Sequence, residues 1–262
     1  MAKKKKPKYS VLTYIFDGYE KVHEILEKDP EAEYILVTDD KELKSDTWNV
    51  VYSKKLSKLT TFEKCFCVRF HPFDWVNSDI CVRLDGSIEI KKPLSPIIDK
   101  VLEGNYDRLL MIHPKRNQIA NEYATWIKFR GYPKENAIKA MTMMVQLGYD
   151  LNYKGLYETG FEVVRNNKLN NNINEITHSL LHYLGKDEET PERINQTIFS
   201  FVTNKLFSDK LKVLPVSESI ITNSPYLSWY VHNSDVKIME EKIIQPFLFN
   251  KPCELWDFST IY

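Results

Sequence analysis

Short apolar runs alternate, along the first part of the chain, with a segment in which apolar residues recur at helical spacing. Tyr9–Phe16, Glu33–Thr38 and Asn49–Tyr52 are rich in β-branched and aromatic residues, which is typical of strands. Between the first two, Tyr19–Lys28 places its apolar residues at helical spacing and predicts a helix. Such alternation favours a parallel, doubly wound sheet, whose ligands bind outside the carboxyl ends of the strands.

The same two patterns continue to the end of the chain. Helices are predicted at Thr60–Phe70, from a serine cap and first-turn proline at Ser95-Pro96, at Ile119–Ile127, Lys134–Leu147 and Ile176–Leu184, and from Thr190-Pro191 through Leu206. Short strands are predicted at Leu109–Ile112, Phe161–Val164 and Val213-Leu214. The segments between them predict a segment bounded by turns at Gly155–Gly160 and a loop at Asn166–Asn174. The sequence therefore predicts an α/β fold.

One polar interruption stands between two alternating apolar stretches. Ile80–Leu84 and Ile88–Ile90 predict strands, and Asp85, Gly86 and Ser87 predict the tight turn between them. A carboxylate at a strand end, a hydroxyl two residues later and a glycine that permits close backbone approach can hold a divalent cation against phosphate oxygens. The same three residues are also typical of an ordinary hairpin turn, so neighbouring segments must decide between the two interpretations.

Composition and charge limit the functions that the chain can have. Its 262 residues, with 43% apolar and 13% aromatic content, suffice for one large domain or for one domain plus a helical lobe, and exclude a disordered chain. Lys+Arg and Asp+Glu both total 36, so no overall field attracts nucleic acid. Nucleic acid is therefore not an expected partner.

The amino terminus carries a run of lysines, from Lys3 to Lys6 and at Lys8. The apolar stretch that follows, Val11–Phe16, is too short for a signal peptide or a membrane helix. The lysines predict a solvated arm or, alternatively, an electrostatic tether to an anionic inner membrane leaflet. The four cysteines lack zinc-site spacing and form no evident disulfide framework, so a cytoplasmic location is expected. They are Cys65, Cys67, Cys81 and Cys253.

Several polar and aromatic residues lie at or near predicted strand ends and are candidates for ligand binding. Those near the first two strands are Tyr14, Phe16, Asp17, Tyr19, Asp39 and Asp40. Later candidates are Arg69 at a predicted helix end and His113, Lys115 and Arg116 after the strand Leu109–Ile112. Simpler interpretations stay open, because Asp39 and Asp40 also suit a solvated turn and Tyr19 also suits the core.

A series of motifs in a fixed order resembles the GT-A class of sugar-nucleotide-dependent glycosyltransferases. The closest resemblance is to the glycosyltransferase-like family of plant Golgi proteins and bacterial surface-polysaccharide loci, and it covers about Tyr9 to Phe207. The motifs are Ile15–Glu20, Tyr34–Asp40, Arg69–Phe73, Leu84–Ile88, His113–Arg116, Gly155–Gly160 and Val163–Arg165. The implied fold is a GT-A, Rossmann-like, mixed and mainly parallel sheet flanked by helices.

The resemblance implies transfer of a sugar from a nucleotide-diphosphate donor, often a UDP-sugar, to a glycan or lipid-linked acceptor in surface polysaccharide synthesis, with Mn²⁺ or Mg²⁺ assistance. Metal ligands are then expected from Asp85, Ser87 and the late His232, although a packed or surface histidine is the simpler interpretation of the last. The donor is expected to contact Tyr14, Phe16, Asp17, Tyr19, Asp39, Asp40, Arg69, His113, Lys115 and Arg116.

Two departures from the family pattern bear on mechanism. Ser87 stands where a carboxylate or amide is commoner, and the late motif Arg193-Ile194-Asn195-Gln196 has an amide in place of an acid. Asn195 or Gln196 would orient the sugar and steady positive charge, which implies a retaining reaction. Glu158 is the acceptor-side alternative, as a base or nucleophile.

Two rival functions stay open at this stage. The departures also suit a catalytically degenerate nucleotide-sugar-binding protein. A nucleotidyltransferase would need a glycine- and lysine-rich phosphate loop after the first strand, which Asp17-Gly18-Tyr19 does not provide. The expected organisation is a basic tail at 1–8, a transferase domain at 9–210 and an extension at 211–262 that completes the active site.

Overall fold

The computed structural model describes residues 6–113, 115–185, 192 and 194–230. Its strands are β1 (Tyr9–Ile15), β2 (Ala32–Thr38), β3 (Asn49–Tyr52), β4 (Ile80–Leu84), β5 (Ile88–Ile90), β6 (Arg108–Ile112), β7 (Tyr157–Arg165), β8 (Val213–Val216) and β9 (Leu227–Trp229). Its α-helices are α1 (Thr61–Phe70), α2 (Ser95–Glu103), α3 (Ile119–Arg130), α4 (Lys134–Gln146), α5 (Lys168–Leu184), α6 (Asn195–Phe201) and α7 (Ser219–Thr222). Short 3₁₀ turns lie at Leu56–Lys58 and Pro72–Asp74, and Val202–Leu206 continues α6 as a π-helical turn.

A seven-stranded sheet in the order β3-β2-β1-β4-β7-β6-β8 forms the centre of the molecule. The pairs β1 with β2, β2 with β3, β1 with β4, and β6 with β8 are parallel, whereas β7 runs antiparallel to both of its neighbours. Apolar side chains of the sheet and of the helices beside it pack together into buried cores. The predicted mixed, mainly parallel α/β sheet flanked by helices is confirmed.

The predicted strands form where apolar residues can be buried on both faces. Every residue of β1 and of β4 is buried, as expected for strands covered by helices on either side. The helix α1 begins at a reciprocal capping box, in which Thr60 and Glu63 satisfy each other's backbone N–H groups. The carboxyl ends of β1, β2 and β4 therefore meet at one edge of the sheet.

The predicted helix at Tyr19–Lys28 is wrong, because this segment is irregular. Its polar groups find partners elsewhere in the chain: Ile25 N donates to Thr47 Oγ1 at 2.9 Å and Leu26 N donates to Ile90 O at 2.9 Å. The Glu24 carboxylate accepts from Ser45 Oγ at 2.7 Å. Hydrogen bonds to distant segments have replaced the bonds that a helix would have made within itself.

The predicted loop at Asn166–Asn174 is also wrong, since α5 already begins at Lys168. Asn167 caps the helix by accepting from Asn170 N. Asn170 and Asn174 turn inward and accept hydrogen bonds from the buried guanidinium of Arg108, at 2.7 and 2.5 Å. Their polarity reflects a buried partner that is distant in sequence, which the local pattern could not reveal.

Three further boundaries differ from prediction. The segment Gly155–Gly160, predicted to be bounded by turns, lies mostly in β7. Ser95 is the first residue of α2 rather than its cap, and its hydroxyl donates to the Asp29 carboxylate. The helix predicted from Thr190 begins, as α6, at Asn195, whereas Thr190 itself lies outside the described residues.

The ends of the described chain bear on the predicted tail and extension. Lys6 pairs with Asp79 at 2.7 Å and Lys8 with Asp99 at 2.7 Å, so these two lysines lie against the domain, and a membrane tether stays a prediction. In the extension, β8 adds a strand to the main sheet and β9 pairs with β5. Throughout the part of the chain that the structure describes, no helix is long and apolar enough to cross a bilayer.

Candidate active site

An irregularity in β7 brings together side chains from distant parts of the sequence. Leu110 of β6 pairs with Glu162, but the next residue, Met111, pairs with Glu158. The residues between them have no partner in β6, although on the other side Phe161 pairs with Leu84 of β4 and Gly160 O accepts from Asp85 N at 2.8 Å. Bulges of this kind commonly redirect side chains beside active sites.

The bulge directs two carboxylates toward one point. A Cβ built on Gly160 would lie 3.2 Å from Asp85 Oδ2 and 3.4 Å from Glu158 Oε1. The two side chains are 22% and 23% exposed, respectively, so both reach solvent at this edge of the sheet. The structure thus brings Asp85, a predicted metal ligand, close to Glu158, a predicted acceptor-side residue.

Asp85 does not stand in a hairpin turn, because β5 leaves the main sheet and pairs with β9 instead of with β4. Its Oδ1 accepts from Arg69 Nη2 at 2.7 Å and lies 3.6 Å from Arg83 Nη1. Tyr14 OH donates to the same oxygen at 3.4 Å. One carboxylate oxygen is therefore held by protein cations, and the other faces Gly160.

Gly86 lets its backbone approach the ring of Tyr19 closely, while its approach to a cation or phosphate stays a prediction. Gly86 N donates to Tyr19 OH at 3.2 Å, and Tyr19 OH donates to Tyr14 O at 3.1 Å. A Cβ at Gly86 would lie only 2.7 Å from that phenolic oxygen, so a larger residue would displace the ring. Tyr19 therefore supports the turn that carries Asp85, and its contact with a donor stays a prediction.

Of the other two predicted metal ligands, the structure describes only Ser87. Ser87 is fully buried, and its hydroxyl has no hydrogen-bond partner. Its carbonyl accepts from Tyr230 N at 2.9 Å, which ties the turn to the strand β9. His232 lies outside the described residues, so its role as a ligand stays a prediction.

Glu158 and Gln196 form a pair beside Asp85. Gln196 Nε2 donates to both carboxylate oxygens of Glu158, at 3.2 and 3.1 Å, while Gln196 Oε1 is buried without a hydrogen-bond partner. Gly160 N also donates to Glu158 Oε1 at 3.1 Å. Burial, and then the nearby charge of Asp85, raise the pKa of Glu158 to about 7.

Asn195 lies next to this pair and binds a different partner. Its Oδ1 accepts from Arg69 Nη1 at 2.7 Å and from Thr159 Oγ1 at 2.9 Å. Arg69 is buried and also contacts Tyr14 and Asp85, so it joins the start of α6 to three strands. Arg69, which the sequence predicted to bind the donor, is therefore hydrogen-bonded to protein groups.

The segment after β6 forms a tight turn around His113. The buried His113 ring accepts from Lys115 N and Arg116 N through Nδ1, at 3.2 and 3.0 Å, and its Nε2 lies 3.6 Å from Glu158 Oε2. Burial, and then the charges of Arg116 and Lys115, lower the pKa of His113 to about 3. Arg116 Nε donates to the buried Glu122, whereas the Lys115 side chain is exposed.

A second charged cluster lies at the ends of β1 and β2. Lys64 Nζ, from α1, contacts Asp17 Oδ1 at 2.7 Å and Asp39 Oδ2 at 2.6 Å, and Thr61 Oγ1 donates to Asp17 Oδ2 at 2.5 Å. Asp17 adopts a positive φ of 52°, which is uncommon outside glycine. Asp40 is an exposed turn residue that accepts from Glu42 N at 2.9 Å, as the simpler interpretation proposed.

Tyr14 and Phe16 are buried beneath these clusters. They are 2% and 0% exposed, and their rings stack with centroids 5.7 Å apart. Neither ring offers a free face in this arrangement, so framing of a base by either one stays a prediction.

Three residues at the site were missed by the sequence analysis: Lys64, Arg83 and Thr159. Arg83 carries a signal that could have revealed it, because it is the charged residue of an otherwise apolar, fully buried strand. Lys64 and Thr159 have no comparable signal, since an isolated lysine in a helix and a threonine near a glycine are ordinary surface residues.

Asp85 and Glu158 are the candidate ligands for a divalent metal ion. Among the residues that the structure describes, no group of three His, Cys, Asp or Glu side chains could hold a metal ion. Asp85 and Glu158 nevertheless direct carboxylate oxygens at one point. Mg²⁺ beside phosphates takes one or two carboxylates and completes its shell with phosphate oxygens and water. The pair fits an ion held jointly with a diphosphate.

Comparisons with known proteins add little to this description. No protein-family model matches the chain, and no curated protein matches it. Among solved structures, the fold is similar to that of mouse xyloside xylosyltransferase 1 in its apo form, with a TM-score of 0.42 and 10% sequence identity over 79% of this chain and 84% of that one. A likeness this distant carries no argument about substrate, so the chemistry rests on the side chains themselves.

Proposed function

We propose that this protein is a glycosyltransferase of the GT-A type. It moves a sugar from a nucleotide-diphosphate donor, expected to be a UDP-sugar, to a glycan or lipid-linked acceptor in surface polysaccharide synthesis. The observation that carries this proposal is the convergence of Asp85, Glu158 and Gln196 at the carboxyl edge of a mainly parallel sheet. Ligands bind at that edge in open α/β sheets.

The nucleoside is assigned to the ends of β1 and β2. Asp17 and Asp39 both offer carboxylate oxygens there, and Lys64 holds the two together. Carboxylates are suitable acceptors for ribose hydroxyls and base N–H groups. Lys115, exposed after β6, is assigned to the diphosphate.

The metal is assigned to Asp85, with Glu158 as the second carboxylate and the donor diphosphate as the remaining ligand. A bound Mn²⁺ or Mg²⁺ would stabilise the charge that develops on the leaving diphosphate. The protein's own share is to hold Asp85 in place, through Arg69 and through the turn that Tyr19 supports.

The orientation of Gln196 supports a retaining reaction. An ionised Glu158 only accepts hydrogen bonds, so Gln196 must donate to it and leave Oε1 without a partner. That oxygen is buried here, and once the side chain presents it to the donor it can steady positive charge on the anomeric carbon while the bond from that carbon to the diphosphate breaks. The acceptor oxygen bonds to the same face of that carbon, and the acceptor proton passes to the leaving diphosphate.

A second mechanism and a second function remain as alternatives. Glu158, with its pKa raised to about 7, is suited to accept a proton and would make the enzyme inverting if it served as the base. The fully buried Ser87 and the guanidinium groups beside Asp85 favour the other alternative, a degenerate protein that binds nucleotide sugars without turnover.

A donor panel tests the function, and the product's stereochemistry tests the mechanism. Calorimetry with and without Mn²⁺ is expected to show metal-dependent binding of one nucleotide sugar, followed by turnover with a glycan or lipid-linked acceptor. NMR of the new linkage is expected to show retention from an α-linked donor. Binding without turnover would identify the degenerate protein. A β product, with activity lost in Glu158→Gln but kept in Gln196→Ala, would identify Glu158 as the base.

A further inference from the structure

The guanidinium of Arg69 joins four parts of the chain that are far apart in sequence. Arg69 Nε and Nη2 donate to Tyr14 OH of β1 at 3.1 and 2.7 Å. Nη2 also donates to Asp85 Oδ1, after β4, at 2.7 Å. Nη1 donates to Thr159 Oγ1 of β7 at 2.6 Å and to Asn195 Oδ1 of α6 at 2.7 Å.

These contacts use the full hydrogen-bonding capacity of the side chain. A guanidinium has five N–H donors and no acceptor, and each donor of Arg69 points to a protein oxygen. Arg69 is also only 7% exposed. A phosphate or sugar could bind it only by displacing one of these partners, which argues against the donor-ligand role predicted from the sequence.

The contact with Asn195 has a chemical consequence. Because Arg69 can only donate, Asn195 must turn its carbonyl oxygen toward the guanidinium and its NH₂ group away from it. Gln196 is held in the opposite sense, since its NH₂ group donates to Glu158. Two adjacent amides at the start of α6 are thus presented with opposite polarity, and Arg69 determines the first of them.

We infer that Arg69 is a positioning residue, which aligns Asp85 with the amide of Asn195 and does not bind the donor. The inference rests on the proposed function, because it assigns Arg69 a part in that reaction. A guanidinium suits this task because its planar fork fixes several acceptors at once, whereas the ammonium of a lysine is a single point charge on a flexible stem.

The test compares Arg69→Lys with Arg165→Lys, both as the full-length protein. Arg165 lies at the far end of β7, the strand that Arg69 contacts through Thr159, and donates to Asn105 Oδ1 at 2.8 Å, so its variant controls for the loss of a guanidinium away from the site. We expect Arg69→Lys to lower kcat by about 100-fold, the loss associated with misplacing catalytic groups by about 1 Å. Affinity for the nucleotide diphosphate should change by less than about threefold, and Arg165→Lys should leave all values unchanged.

A double-mutant cycle with Asn195→Ala separates positioning from general destabilisation. If Arg69 acts through Asn195, the double variant should be little slower than the slower single variant, because the contact is already lost. Multiplicative losses in kcat would overturn the inference. Nucleotide affinity that falls in parallel with kcat would overturn it as well, since Arg69 would then be a donor ligand.

The same cycle can be followed by urea unfolding, which needs no enzymatic activity. Coupling between Arg69 and Asn195 should appear as a non-additive shift of the unfolding midpoint. A wild-type protein without turnover on any donor would refute the proposed function, and the unfolding cycle would still decide whether the contact exists. Additive midpoint shifts, with a normally active wild type, would refute the positioning role alone.

Discussion

The two charged clusters at the edge of the sheet are built in contrasting ways. The nucleoside-side cluster, Asp17, Asp39 and Lys64, has two carboxylates around a single ammonium, and its side chains are 45%, 11% and 5% exposed, respectively. The transfer-side cluster, Asp85, Glu158 and Arg69, has side chains between 9% and 23% exposed, and a guanidinium whose donors are all engaged.

This difference indicates a division of labour. An ammonium on a long stem can follow its partners, so the nucleoside-side cluster can adapt to a ligand. The transfer-side cluster has less freedom, because the bulge in β7 and the fork of Arg69 hold its members in fixed relative positions. We therefore expect substitutions in the nucleoside-side cluster to alter the affinity for the nucleoside, and substitutions in the transfer-side cluster to alter kcat.

The largest effect is expected from Asp85→Asn. This variant keeps the shape of the side chain but loses the charge that faces both Arg69 and the assigned metal, so kcat should fall by about 1,000-fold, as for other lost electrostatic contacts to a reacting group. Asp85→Ala is less informative, because it would also remove the oxygen that accepts a hydrogen bond from the buried Arg69 Nη2. Steady-state kinetics over a range of Mn²⁺ concentrations measures the loss.

The control is Asp79→Asn, which removes an exposed carboxylate paired with Lys6 and should leave kcat unchanged. Two results would contradict the assignment of Asp85 to a metal. One is normal activity of Asp85→Asn, and the other is wild-type activity that a chelator does not affect.

A smaller effect is expected on stability, in the variant Glu158→Gln. Its folded-state pKa of about 7 lies above the ordinary value of 4.5, so the folded protein binds the proton more tightly. The wild type should therefore lose stability as pH rises from about 4.5 to about 7, by roughly 3 kcal/mol relative to Glu158→Gln. Urea unfolding of both proteins at several pH values measures this difference.

The comparison with Glu158→Gln is needed because His113 acts in the opposite direction. Its lowered pKa, about 3, makes stability rise with pH up to its ordinary value of 6.5. Only the difference in stability between the wild type and Glu158→Gln isolates the contribution of the Glu158 carboxylate. A difference that does not vary with pH would show that the Glu158 carboxylate is ordinarily solvated.

The smallest effect is expected from Lys64→Met. Loss of the ammonium leaves Asp17 and Asp39 to repel each other, which should weaken nucleoside binding by about tenfold, or about 1.4 kcal/mol. At saturating donor, kcat should change little. Calorimetry with the nucleoside and with its diphosphate gives the affinities.

Lys58→Met serves as the control, since Lys58 is an exposed lysine just before α1. A loss of kcat as large as that of Asp85→Asn, at saturating donor, would remove the distinction between an affinity cluster and a rate cluster.

The sequence alone determined the class of the fold and placed several candidate residues at the ends of strands. Apolar runs reveal strands that are buried on both faces, and the residues that follow a strand must lie at its carboxyl end. Asp17, Asp39 and Asp85 were found in this way, because their placement depends only on local strand boundaries.

The tertiary structure alone decided which of these groups meet and how they are oriented. Glu158 lies in a segment for which only the bounding turns were predicted, yet a bulge in β7 brings it beside Asp85. Arg69 of α1 was predicted to bind the donor, whereas its protein partners come from β1, from the residue after β4, from β7 and from α6. Contacts between residues distant in sequence depend on register and packing, which local spacing does not encode.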